Sequence, residues 1–356
     1  MGGETSKIAK MAEYVSEELF SWFRWKRVEL PDQNFDCCKT ERHAKDKPNH
    51  THPVDCVFYY QDPYLNNKVV LLNTDLKSYA KGSIDATRIF EALKSLSKTI
   101  DCARASEEWI NRYNLFGDKP HEVRGMLFVY NHDNEYDGDF HDLLTAPIKR
   151  RKGAKDQPVK LETLPLEDGQ LIHVFEPKLI SYLTTIITDT QRLHSQGKFP
   201  EKQYEFFYPE LRLHKTSGKG IERPATAELL AGPYLIIQHD EVRKYNESSN
   251  QVETTFPKGY IVYYNRPGET AEEFIYLLDI LSGYQILEGE HSLRIRLTNA
   301  TETPDPRSNF LRAVNMYASE WQFDSHKTQR LKSIEFEVIN LYQYSFSRTV
   351  IGWDRA

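Results

Sequence analysis

Two aspartates and a lysine, Asp55, Asp75 and Lys77, are the residues whose types and spacing could do chemistry together. Hard divalent cations such as magnesium take oxygen ligands and usually keep several waters. A bound ion can turn one such water into a nucleophile and shield the charge that develops on a phosphate. A lysine beside it can position that water or stabilise the pentacoordinate phosphorus. The chemistry open to this trio is therefore hydrolysis of a phosphate ester. Without an ion, the same residues describe a strand that ends in a surface Asp–Lys pair, worth about 0.5 kcal/mol.

Meeting in space requires two adjacent strands, and the surrounding sequence supplies them. Residues 54–60 read as one strand, and residues 61–67 (QDPYLNN) make the reversal with Pro and Asn supplying the turn. Residues 68–79 read as the second strand, opening on the apolar run Val69, Val70, Leu71, Leu72. That run is short, bounded and partly β-branched, which suits a buried strand. Successive side chains of a strand face opposite ways, so Asp75 and Lys77 share a face and Leu76 points into the other layer.

Pro53-Val54-Asp55 followed by Asp75-Leu76-Lys77 resembles the signature of the PD-(D/E)xK nuclease superfamily. It departs from the bare pattern in placing Val54 between the proline and the first aspartate. The resemblance implies an α/β fold, a restriction-endonuclease-like mixed sheet flanked by helices. It implies a metal-dependent phosphodiesterase using Mg²⁺ (or Mn²⁺), with Asp55 and Asp75 as ligands, the Leu76 carbonyl as an added ligand, and Lys77 as the catalytic lysine. Such nucleases often carry a glutamate on the first helix; Glu13 fits that place best and Glu17 next. The helix after the DxK strand often adds a polar residue, for which Arg88 is the candidate. The resemblance extends to effectors of bacterial anti-phage defence, with DNA as the expected substrate and a homo-oligomer or a hetero-complex with a second defence protein as the expected assembly.

Composition bounds the partners. With 28% charged residues and a net charge of −6, the chain is no polycationic nucleic-acid coat, so contact with DNA must come from local basic patches. Lys149, Arg150, Arg151 and Lys152, with Lys155 nearby, form the densest such patch and could grip phosphates in a salt-dependent way. Four cysteines without framework spacing in a chain of 356 residues favour reduced thiols and a cytoplasmic location. No apolar run approaches membrane-spanning length, and MGGETSKIAK lacks an apolar signal core.

Along the rest of the chain, residues 6–23 read as an amphipathic helix and 25–30 as a short strand. Residues 31–53 hold Cys37, Cys38, His43, His50 and His52, but adjacent cysteines and an H-x-H do not make a standard zinc-finger spacing. A mobile loop beside the site is the expectation there. A helix capped by Ser83 is expected to run to Tyr113, followed by a strand over 123–130. The acidic loop after it fails as an EF-hand, because position 12 counted from Asp133 is Leu144. A strand over 171–174 and a helix over 177–193 precede a polar break at 216–224, whose Gly218-Lys219 lacks the full phosphate-loop pattern.

This break suggests a nuclease-like domain over residues 1–215 and a second α/β domain over 225–356 serving assembly or sensing. In that second domain, Leu293, Ile295 and Leu297 are expected to face inward, with Arg294 and Arg296 outward. The aromatic tail, 342–353, is expected to pack against something. Two readings compete with a DNA-cleaving enzyme: a catalytically silent nuclease-fold subunit that binds nucleic acid or a protein partner, and a purely structural interaction protein.

Overall fold

The computed structural model describes residues 2–30, 33–43, 50–65, 67–145, 147–148, 157–158, 161–209, 211, 222–248, 250–289, 291–298 and 305–339. Contacts divide the chain between Ile180 and Ser181 into two compact units, each built on its own five-stranded sheet. That division lies upstream of the polar break at 216–224.

The first unit opens with helix α1 (Gly2–Trp22) and strand β1 (Lys26–Arg27). The hairpin follows, with β2 (Cys56–Gln61) antiparallel to β3 (Val69–Tyr79). Its reversal is held by the Asp62 carboxylate, which accepts from the Tyr64 and Leu65 amides at 2.8 and 3.2 Å. Strands β4 (His121–Asn131) and β5 (Ile172–Phe175) complete the sheet in chain order, each parallel to its predecessor. This is the mixed sheet flanked by helices expected from the sequence.

The two faces of β3 have different partners. On one, Phe20 of α1 stacks on Trp25 at 4.4 Å between ring centroids and meets Phe58 and Phe175 edge-on, each at 5.0 Å. On the other, Leu71 packs with Trp109 and Tyr113, and the Asn73 side-chain oxygen accepts from the Trp109 indole N–H at 3.0 Å. The helical segment after β3 is broken where one continuous helix was expected. Ser83 lies in the 3₁₀ turn Lys81–Ser83; Asp85 caps α2 (Ala86–Ala103), and Ser106 caps α3 (Glu107–Tyr113). Each new cap side chain satisfies an amide that a helix start leaves unpaired. Gly125 lets α2 approach β4 closely, since a Cβ there would meet Leu96 at 3.2 Å and Ile172 at 3.0 Å.

The second unit takes up α4 (Pro177–Ser195), then β6 (Tyr204–Phe206), β7 (Tyr234–His239), β8 (Gly259–Tyr264), α5 (Ala271–Gly283), β9 (Ser292–Leu297), α6 (Pro306–Glu320) and β10 (Glu335–Val338). Its sheet order also follows the chain, and the strand pairs run antiparallel, antiparallel, parallel, parallel. The first sheet has the same sequence of directions.

Arg294 and Arg296 do not face solvent; both are 1% exposed. The sheet is covered on both faces, by α5 and α6 on one side and by α4 on the other. Across the α4 face, Tyr182 donates to the Tyr263 carbonyl at 3.1 Å, and the Tyr263 hydroxyl donates to Asp189 at 2.9 Å. Arg296 lies among Asp189 at 3.5 Å, Glu335 at 2.9 Å and Glu337. Period-two alternation marks two faces, but it does not say that one of them is wet. Breaking a buried ion network from one side is costly because the remaining charge is left uncompensated. Asp189→Ala is therefore expected to destabilise the second unit by about 3–5 kcal/mol, while Glu241→Ala in the exposed Arg243 pair costs about 0–1 kcal/mol. Urea unfolding midpoints check this, and equal losses for the two variants would contradict the buried-network reading.

Candidate active site

The register of the hairpin brings the acidic residues together. Cys56 pairs with Thr74 across β2 and β3, so Asp55, one residue before β2, stands abreast of Asp75. The Asp55 carboxylate accepts a 2.7 Å hydrogen bond from the Leu76 amide, which fixes it against β3. Amide and carbonyl of one strand residue point to the same side, so the Leu76 carbonyl faces the edge where Asp55 lies. Lys77 pairs with the Asp75 carboxylate, and both side chains are mostly buried, 29% and 16% exposed. Strand β3 itself changes character here: Val69 to Thr74 are buried and Asp75 to Tyr79 are half-buried. The acids thus sit where the strand leaves the core.

Opposite the acid pair is the face of α2. Ser95 and Thr99, four residues apart on that helix, line a small cavity with Pro53, Asp55, Thr74 and Asp75. They take the place expected of a polar residue on this helix. Arg88 does not: it is exposed, pairs with Asp85 at 3.5 Å and donates to the Ser83 carbonyl. The i, i+4 spacing of Ser95 and Thr99 is visible in the sequence, but it gains meaning only once α2 is known to lie across β3.

Glu13 and Glu17 both pair with Arg27, at 2.6 and 3.0 Å. Among the described residues, Glu13 is not gathered with Asp55 and Asp75 into a three-ligand cluster. The basic patch Lys149 to Lys152, the Gly218-Lys219 break and the aromatic tail lie outside the described residues. In the acidic loop, Asp133 accepts from the Lys81 and Glu135 amides, and Asp137 pairs with Lys81. These contacts make it a turn.

A family model described as the GAPS4 protein PD-(D/E)XK nuclease domain matches residues 1–178 of this 356-residue chain. The chain belongs to that family. The match spans half of the sequence and ends close to the division between the two units. GAPS4 is a protein of an anti-phage defence system. No curated protein and no solved structure matches the chain. The first unit is accordingly a PD-(D/E)XK nuclease domain, and nucleases of this kind typically use divalent metals. Among the described residues, no helix is long and apolar enough to cross a membrane.

The electrostatics of the nuclease domain fit a cation between the acids. Burial and the neighbouring Asp75 charge push the Asp55 carboxyl up to about 6, against the opposing pull of the Leu76 amide and Lys77. Burial pulls the Lys77 ammonium down, but the Asp75 and Asp55 carboxylates outweigh it and leave it raised. A divalent ion held between the two carboxylates would relieve the conflict between them.

Because the folded-state value of Asp55 is raised, its proton favours the folded state. That contribution is fully present below about pH 4 and is lost as pH rises through about 6. In metal-free protein, Asp55→Asn is therefore expected to be more stable than the unaltered chain at pH 8 by about 3 kcal/mol, with the gap closing by about pH 4. Urea unfolding with chelator at both pH values checks the prediction. A variant less stable at both would refute it.

Proposed function

We propose that this protein is a Mg²⁺- or Mn²⁺-dependent nuclease that hydrolyses phosphodiester bonds in DNA as part of anti-phage defence. The observation that carries the reading is the meeting of Asp55, Asp75 and Lys77 at the outer end of β3, with the Asp55 carboxylate locked on the Leu76 amide at 2.7 Å. Asp55 and Asp75 would hold the ion, joined by the Leu76 carbonyl. Such an ion supplies Lewis-acid polarisation of the phosphate and an acidified water. Lys77, held charged by its carboxylate neighbours, acts as a hydrogen-bond donor rather than a base. Its ammonium orients the attacking water and offsets negative charge as the water oxygen bonds to phosphorus and one P–O bond to the sugar breaks, the water giving up a proton to solvent and the leaving sugar oxygen taking one from it. Glu13 is committed to Arg27 and is left out of this set.

DNA is favoured by the defence context of the family, and phosphate contact is assigned to Lys149, Arg150, Arg151 and Lys152. A homo-oligomer or a hetero-complex with a second defence protein completes the proposal. Purified full-length protein should nick or degrade DNA with Mg²⁺ or Mn²⁺ and stop when chelator is added. Asp75→Ala and Lys77→Ala should each lower the cleavage rate by at least about 100-fold while leaving thermal unfolding cooperative. DNA binding that persists in Asp75→Ala and ignores chelator, with no cleavage by any form, would favour a catalytically silent subunit instead.

A further inference from the structure

A second cluster of ligating side chains lies in the nuclease domain, outside the acid site. Cys37, His43, His52 and Cys102 each offer a ligand atom within 4.8 Å of the other three, and all four are buried. The residues arrive from three places. Cys37 follows the short strand Phe35–Asp36, which pairs with Thr51–His52, and His43 closes the helical turn Thr40–His43. Cys102 sits in the last turn of α2. The stretch expected as a mobile loop is thus folded on both sides of residues 44–49.

The separations among three of the four ligand atoms match those of a tetrahedral zinc site. Zinc bonds of about 2.3 Å to sulfur and about 2.0–2.1 Å to nitrogen, at tetrahedral angles, put two sulfurs about 3.8 Å apart and sulfur about 3.5 Å from nitrogen. Here the Cys37 and Cys102 sulfurs are 3.7 Å apart, and His43 Nδ1 lies 3.5 and 3.4 Å from them. The sulfur separation is well beyond the roughly 2.05 Å of a disulfide, and both cysteines are free.

Two further features point to a ligand. His52 is 1% exposed, and its Nε2 has no hydrogen-bond partner among the described residues, a costly state for a buried polar atom. His43 turns its other nitrogen, Nε2, to the buried Asp101 carboxylate at 3.0 Å. Metal-bound histidines commonly do this, the carboxylate fixing which nitrogen faces the ion. Asp101 is balanced in turn by Lys39 at 2.6 Å.

We infer that Cys37, His43, His52 and Cys102 bind a structural Zn²⁺ ion. Two thiolates and two neutral imidazoles match its charge and its preference for sulfur and nitrogen, and four protein ligands leave no open position for catalysis. Binding releases the two thiol protons, and no redox change is involved. The site is distinct from the acid pair but tied to both of its walls. His52 lies three residues before Asp55, and Cys102 is three residues after Thr99 on α2. A bond from each to one ion sets the distance between the segment that delivers Asp55 and the helix that faces it.

Metal analysis of the purified full-length chain should find about one zinc per chain. Cobalt exchanged into the site should give the visible bands of a tetrahedral thiolate complex. Cys102→Ser and His52→Gln should each lower the zinc content at least about tenfold, while His52→Cys, which keeps four ligands, should retain it. Asp75→Ala, which removes the proposed nuclease activity, should keep its full zinc, so the two readings fail separately. Zinc-free protein that gives no tetrahedral cobalt spectrum would overturn the inference. So would a Cys37–Cys102 disulfide in the isolated protein, or zinc content unchanged in both Cys102→Ser and His52→Gln.

Discussion

The first unit is organised around two negative charges brought closer than they would choose. The hairpin register sets Asp55 beside Asp75, and nothing in the backbone allows either to move far. Their repulsion is met in part by the Leu76 amide and by Lys77. The rest of it remains as a raised proton affinity on Asp55. A site in this condition is less stable than an apolar one at neutral pH, which is the cost expected where a fold keeps groups ready for a ligand. The aromatic layer beneath α1 and the polar anchor between Asn73 and Trp109 hold β3 firmly enough to sustain it.

The second unit shows what the same succession of strand directions does without those charges. Its central strand β8, like β3, runs antiparallel to the strand before it and parallel to the one after. At the end that would correspond to the acid pair, Tyr234 faces Tyr264 across β7 and β8. One of its carboxylates, Asp189, is instead drawn inside, serving Tyr263 and Arg296 beneath α4. Charge in this unit fastens a helix to a sheet, whereas charge in the first unit is left facing a cavity. Similar connectivity therefore does not carry the chemistry; the residues at one end of one hairpin do.

The acid pair was legible because everything it needs is local. A turn of known chemistry, an apolar run and period-two alternation together place Asp55, Asp75 and Lys77 within one hairpin. The Cys–His cluster was not legible for the opposite reason. Cys37 and Cys102 are 65 positions apart, and only the packing of α2 against the preceding segment brings them to 3.7 Å. Judged on the 31–53 stretch alone, two cysteines and three histidines match no finger spacing. A related gap hides the buried arginines: alternation along β9 marks two faces, but the helix covering the second lies about a hundred residues upstream in α4. The two helix caps, Asp85 and Ser106, were readable in principle, yet a continuous amphipathic pattern outweighed them.

Glu13 pairs with Arg27, and charge balance at the acid site can be drawn up from the two aspartates and Lys77. Two carboxylates and the Lys77 ammonium leave one net negative charge at the site, which repels a phosphodiester. With a divalent ion bound under the proposed reading, the balance becomes one net positive charge, matched to the single negative charge of the bond to be cut. A third carboxylate would cancel that excess and remove the attraction for substrate. Arg27 holds Glu13 at 2.6 Å and Glu17 at 3.0 Å, and its single positive charge offsets one of these two acids. Under that reading metal binding turns the acid site from one that repels a phosphodiester into one that attracts it, adding to the phosphate contact proposed for the basic patch.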